Sequence, residues 1–290
     1  MDVLVRAINA ILMMAMPLAL GVLLARRLKM NWGLFGVGAA IFIGSQILHI
    51  PFNAWLLAPA IEKLGLRAAD HGLRLALVSL LYGLSAGIFE DGARYLAYRF
   101  WIKDARTWSK ALMFGAGHGG IEAFLLGALA LFALFQAFAL RGTDLSTVVP
   151  ADQVALAQQQ IQAYWDAPWY AALLGAAERA SALCVQVSLA VLVLQAFTRR
   201  SLLWVMAAVG WHAAVDALAV FAVQTTNVYL TEGLIALCAL ASLALIFALR
   251  QPEPATSEHD IHPDPPRPSP PHRRSTSLSA EHLEDSRFVR

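Results

Sequence analysis

Stretches of about twenty mainly apolar residues recur along this chain, each cut off by a short polar cluster, and that repeat decides most of what it can fold into. A helix needs about 20 such residues to cross the hydrocarbon core of a bilayer, and inside lipid only helices and closed barrels satisfy their own backbone polar groups. The apolar runs place spans near 5–25, 32–51, 74–100, 108–140, 168–198, 201–223 and 228–249, seven in all. The chain is 58% hydrophobic and 14% charged, against roughly a quarter charged in a soluble domain, and its mean hydropathy is +0.57. The expected fold is an all-α, polytopic transmembrane helix bundle over residues 1–250, sitting in the cell membrane with the lipid bilayer as its first partner. A soluble core is excluded, and no nucleic-acid partner is expected.

The first stretch, Val5 to Ala25, is followed by Arg26, Arg27 and Lys29, whereas a cleaved signal carries its basic residues ahead of the apolar core. It therefore reads as a retained span. Arg99, Lys103, Arg106 and Lys110 lie between the third and fourth spans, and Arg199 and Arg200 between the fifth and sixth, so every second connection is basic. The alternate connections are mixed or acidic: Glu62 and Asp70 offset Lys63 and Arg67, then come Asp144, Asp152 and Asp166, then Glu232. The positive-inside bias puts the amino terminus outside and the carboxyl terminus in the cytoplasm. Val154 to Trp165, in the long outer connection, is expected to form a short surface helix. Residues 251–290, with Pro252, Pro254, Pro263, Pro265, Pro266, Pro268, Pro270 and Pro271, are expected to be a disordered cytoplasmic tail. Cys184 and Cys238 fall in apolar segments and suggest neither a disulfide nor a thiolate metal site.

An ionisable side chain at the centre of a membrane helix costs about 2.5 to 3.5 kcal/mol on insertion scales, so each calls for a partner or a purpose. Here they come in pairs four residues apart, on one helix face each: Glu90 with Arg94, His118 with Glu122, and His212 with Asp216. Counted from the cytoplasmic ends at about 1.5 Å per residue, Glu90, His118 and His212 lie about 15 to 16 Å deep. Three helices thus deliver polar groups to one level. The run Gly115-Ala116-Gly117-His118-Gly119-Gly120 strips side chains from around the histidine, letting a neighbouring helix or an extended substrate approach. Taken singly, each feature has a plain alternative. Glu90 and Arg94 would make a structural ion pair, a lone intramembrane histidine is more often a packing residue, and Glu178 and Arg179 suit partners on two neighbouring helices. Their joint occurrence at a common depth exceeds what helix packing requires.

Two imidazoles and a carboxylate are a frequent ligand set for catalytic zinc, and His118, Glu122 and His212 supply it, with Glu90 as the general base, Arg94 orienting Glu90 or a neighbouring carboxylate, and Asp216 keeping its helix polar at the site or serving as a further ligand. A metal-free version fits the same residues, with Glu90 activating water and the histidines stabilising the oxyanion. None of the soluble-type contexts of HExxH, GxSxG, Walker A or GxGxxG is present.

Glu90-Asp91-Gly92-Ala93-Arg94, Phe114-Gly115-Ala116-Gly117-His118 and His212-Ala213-Ala214-Val215-Asp216 occur in the order of the three motifs of the CAAX-processing and bacteriocin-processing protease superfamily, EExxxR, FxxxH and HxxxN/D, which this chain resembles. Gly117-His118-Gly119-Gly120-Ile121-Glu122 and the Glu178-Arg179 dipeptide are more similar to its YhfC branch, described as intramembrane metalloproteases. Asp91 stands where the superfamily usually has a second Glu, and Asp216 where Asn is frequent. The resemblance implies a glutamate base and histidines facing a cavity open to the cytoplasmic half, acting on a membrane-associated peptide or protein. Two other classes suit the same residues: a proton-coupled transporter using them as a relay, and a catalytically silent membrane scaffold.

Overall fold

The computed structural model describes residues 2–66 and 72–251. Arg67, Asp70 and the tail expected beyond Gln251 lie outside the described residues. Seven helices among the described residues are long and apolar enough to cross a membrane: α1 (Asp2–Arg27), α2 (Gly33–Lys63), α3 (Leu73–Trp101), α4 (Trp108–Ala139), α6 (Trp169–Thr198), α7 (Leu203–Thr225) and α8 (Val228–Ala248). An eighth, α5 (Val154–Asp166), has no buried residue and joins α4 to α6. It is tied to the amino-terminal end of α1, where the Arg6 guanidinium lies 4.4 Å from the centre of the Tyr164 ring and donates to the Ala167 carbonyl at 3.1 Å.

One boundary departs from the apolar-run reading. The second helix does not stop at Pro51 but runs on to Lys63, so Glu62 and Lys63 belong to its last turn and not to a connection. Proline removes an N–H without bending φ away from helical values, and a π-type turn at Asn53–Leu57, closed by the Ala58 N–H on the Asn53 carbonyl, carries the helix onward. Such a turn rotates the side chains beyond it relative to a regular helix.

The bundle is arranged around α6. In that helix 72% of the most apolar window is buried, against 44% or less in the others, which is what apolarity on every face predicts for a central helix. It packs against α1, α3, α4, α7 and α8, while α1 and α2 cover the far side of α4 and α7 covers α3. Tyr98, Phe114, Leu189, Val191, Val193 and Ala208 form a fully buried apolar layer at the end of the bundle that carries the basic connections.

The glycine run of α4 is spent on helix contact. A Cβ on Gly117 would lie 2.0 Å from the Phe35 carbonyl oxygen, and one on Gly38 would lie 2.1 Å from that of Phe114. The two glycines therefore mark a reciprocal crossing at which the α2 and α4 backbones touch. Backbone cannot yield as a flexible side chain can, so Gly117→Ala or Gly38→Ala is expected to cost about 1 to 3 kcal/mol. Thermal unfolding of the purified protein in detergent checks this, with Gly44→Ala, where nothing lies within 4 Å, as the neutral control.

Candidate active site

The crossing of α3 and α7 sets one half of the site. A Cβ on Gly83 would lie 2.6 Å from the Ala213 carbonyl oxygen and one on Gly87 2.9 Å from that of Val209, so these two turns of α3 press directly on α7. One turn further along the same face of α3 comes Asp91, which meets His212 of α7: His212 Nδ1 lies 3.1 Å from Asp91 Oδ2. A carboxylate only accepts, so the hydrogen on this imidazole sits on Nδ1, and Nε2 is left facing Asp216 Oδ2 at 3.6 Å. Arg94, with no exposed surface, donates from Nη1 to Asp91 Oδ1 at 2.5 Å and from Nη2 to Gln186 Oε1. Arg94, Asp91 and His212 thus form a buried line in which a guanidinium holds a carboxylate and the carboxylate holds an imidazole.

Glu90, adjacent to Asp91, points to the other side of α3. Its Oε1 accepts from Gln46 Nε2 of α2 at 2.9 Å. Its Oε2 lies 3.2 Å from His118 Nε2 of α4, 3.5 Å from Gln186 Nε2 of α6 and 3.8 Å from Arg94 Nη2. Four helices converge on this one carboxylate. His118 is fully buried, its ring edge-on to Phe42 with centroids 5.2 Å apart, and its Nδ1 has no hydrogen-bond partner among the described residues.

Two cavities flank the site. The larger, about 530 Å³, has Gln46, Glu90 and Glu122 at its polar end and is otherwise lined by apolar residues of α2 and α4, among them Ile43, Ile47, Ile50 and Leu125. All four of these side chains are exposed on the helix surface, so this cavity opens sideways toward lipid. The smaller, about 110 Å³, lies between α4, α6, α7 and α8 and is bounded by Glu122, Glu178, Arg179, Gln186, His212 and Asp216. Both lie beside the site or beyond it, toward the end of the bundle opposite the basic connections. On the basic side Glu90 is followed by Arg94 and Tyr98, one turn apart and both fully buried, and then by the apolar layer. Among the described residues no opening reaches the site from the end with the basic connections, where the resemblance implies one; close packing of Tyr98, Phe114 and residues 187–194 fills that space.

The sequence pairs are thus partly regrouped. Glu90 and His118 meet, and His212 meets Asp216 across one turn. Arg94 serves the neighbouring carboxylate, Asp91, more closely than Glu90. Glu122 does not join the imidazoles: it accepts from Arg179 Nη1 at 2.8 Å and from Gln186 Nε2 at 2.7 Å. Glu178 and Arg179 do not serve two separate neighbours either, because Arg179 Nη2 donates to Glu178 itself. Asp91, Gln46 and Gln186 are site residues that the sequence reading left outside the candidate set. Asp91 carried the same signal as Glu90, a carboxylate in mid-span. Amides are cheaper to bury than charges and stand out less, although at about 18 to 20 Å from their helix ends Gln46 and Gln186 also fall near the common level.

A seven-span helical bundle enclosing two carboxylates, two imidazoles and an arginine defines a polytopic membrane protein with a buried polar site. Residues 12–238 match the family model described as YhfC intramembrane metalloprotease, so the chain belongs to the YhfC family. Over 218 residues, 74% of this chain and 82% of the relative, it is 33% identical to a protein of Bacillus subtilis (strain 168) named "Uncharacterized membrane protein YhfC". No solved structure matches it.

Proposed function

We propose that this chain is an intramembrane peptidase that hydrolyses a peptide bond of a membrane-associated peptide or protein. The observation that carries the reading is the Glu90 carboxylate, 3.2 Å from His118 and at the polar end of a cavity open to lipid. A carboxylate and two imidazoles inside an apolar bundle, beside room for a substrate, suit hydrolysis better than helix packing.

Glu90 Oε2 takes a proton from a water that displaces or bridges its contact with His118, and the water oxygen attacks the scissile carbonyl carbon. His118 Nε2–H donates to the oxyanion of the tetrahedral intermediate, joined by His212 when its Nε2 is protonated. The intermediate collapses with cleavage of the C–N bond, and Glu90 returns its proton to the leaving amine. Arg94 and Asp91 hold His212 in the tautomer that aims Nε2 at the smaller cavity, and Asp216 faces that nitrogen, ready to accept from it when it is protonated. With the amino terminus outside, as the basic connections imply, both cavities lie in the outer half of the bundle. Apolar residues along the larger one suit a substrate arriving from within the bilayer.

The family's description carries a metal, and zinc on His118, Glu122 and His212 is the reading offered by residue type. That donor set does not fit this structure: Glu122 is committed to Arg179 and Gln186, and among the described residues no three His, Cys, Asp or Glu side chains group as ligands. Purified protein is expected to contain far less than one zinc per chain and to keep its activity after chelation. Stoichiometric zinc in the wild type that disappears in His118→Ala would replace the glutamate mechanism.

The test of the whole reading compares membrane peptides of cells with and without the chain. A fragment that appears only with the chain, and is made by the purified wild type in liposomes but not by Glu90→Gln, supports it. Flux driven by a pH gradient with no cleavage would favour the transporter.

A further inference from the structure

Between α2 and α3 runs a chain of side-chain hydrogen bonds that the mechanism above does not use. Ser85 Oγ donates to Asn53 Oδ1 at 2.6 Å. Asn53 Nδ2 faces His49 Nε2 at 2.9 Å, and His49 Nδ1 faces Gln46 Oε1 at 3.3 Å. Gln46 Nε2 donates to Glu90 Oε1 at 2.9 Å. The chain leaves α3 at Ser85, crosses to α2 for three residues, and returns to α3 at Glu90.

Only one set of directions fits it. Glu90 as a carboxylate accepts only, so the amide end of Gln46 must face it and the carbonyl end must face His49. That carbonyl also accepts only, so His49 Nδ1 carries the hydrogen. The neutral ring then has a lone pair on Nε2, which the Asn53 amide fills, and the Asn53 carbonyl takes the Ser85 hydroxyl. Every donor points toward Glu90, and bonds aligned this way strengthen one another. Asn53 reaches the ring because it lies four residues after His49 in regular helix, on the same face, with its N–H bonded to the His49 carbonyl. His49 is buried, with its ring stacked on Phe89 at 5.4 Å between centroids, so it cannot turn over without disturbing α3.

We infer that Ser85, Asn53, His49 and Gln46 form a one-way hydrogen-bond relay that presents a donor, and never an acceptor, to Glu90 Oε1, with His49 as the positioning residue that locks its direction. The inference rests on Glu90 being the working carboxylate. By fixing Oε1, the relay leaves Oε2 as the oxygen that faces His118 and the water.

The direction of the relay is readable without a substrate. Nitrogen-15 NMR of histidine-labelled full-length protein in nanodiscs, with His49 assigned by its loss in His49→Gln, is expected to show a neutral ring protonated on Nδ1. In Asn53→Ala, which removes the donor on Nε2, that preference should relax toward a mixture of tautomers, whereas Ser85→Ala should keep it. A wild-type ring protonated on Nε2, or a ratio unchanged in Asn53→Ala, overturns the relay, and the wild-type spectrum decides even where a variant does not fold. On the substrate found by peptide comparison, Gln46→Met should lower the cleavage rate about 10- to 100-fold, as loss of an orienting partner does elsewhere, and an unchanged rate overturns the positioning role. Cleavage by a wild type whose His49 carries Nε2–H rejects the relay alone; Nδ1–H in a protein that cleaves nothing rejects the hydrolytic reading alone.

Discussion

Glu90→Gln is expected to lower the cleavage rate about 10²- to 10⁴-fold, the range a positioned general base contributes, while leaving the bundle folded. The substitution keeps the size and planarity of the side chain and removes its proton-accepting charge. Folding survives because the surroundings can adjust. The new amide carbonyl still accepts from Gln46, and its NH₂ group then faces His118 Nε2, which at present donates to Glu90. His118 Nδ1 is unpartnered among the described residues, so the imidazole can move its hydrogen there and accept from the new amide at Nε2. The expected pattern is a loss of rate with little change in melting temperature. A cleavage rate within a few-fold of wild type would remove Glu90 from the role of base, and a collapse of melting temperature would make it a structural residue instead.

Much of this arrangement is legible in the residues themselves. Long apolar runs fix the number of spans because lipid forbids unsatisfied backbone, and depth counted at helical rise brings Glu90, His118 and His212 to one level, as their contacts in the structure require. What the pattern cannot carry is the azimuth of each helix. Spacing by four puts His118 and Glu122 on one face, yet a face is about 100° wide, and a few tens of degrees send His118 toward α3 and Glu122 toward α6. Those angles are set by tertiary contacts, notably the Gly38/Gly117 crossing and the pressure of Gly83 and Gly87 on α7. The continuation past Pro51 was hidden for a different reason, since proline is read as a helix stop in water and a π-type turn leaves no mark in hydropathy.

The site is also asymmetric in its electrostatics. Glu90 has donors on several sides but lies beside a cavity, whereas Asp91 is fully buried with its contacts to Arg94 and His212. Two adjacent carboxylates therefore take opposite duties: one is reachable from the cavity, and the other is enclosed and holds an imidazole in register. The glycines at 83 and 87 make that division possible, because only a close α3 to α7 crossing brings the His212 ring to Asp91.

That enclosed carboxylate makes Arg94 the residue whose loss should cost the fold most. Arg94→Met keeps the length of the side chain and its apolar stem but leaves Asp91, with no exposed surface, without the guanidinium that now lies 2.5 Å away. Removing one member of a buried pair typically costs about 3 to 5 kcal/mol, because the partner's charge remains out of water. Gln186 would lose its donor too, and with it the order of the amide that reaches Glu90 and Glu122. Arg94→Lys should fall between, since a single ammonium cannot serve Asp91 and Gln186 in the fork geometry of a guanidinium. The decisive variant is the double, Arg94→Met with Asp91→Leu. If the penalty is uncompensated charge, the double should recover stability relative to Arg94→Met alone even though His212 is then unanchored and cleavage stays low. Chemical or thermal unfolding in detergent micelles reads this directly, and a double variant less stable than both singles would mean that packing volume, not the buried charge, sets the cost.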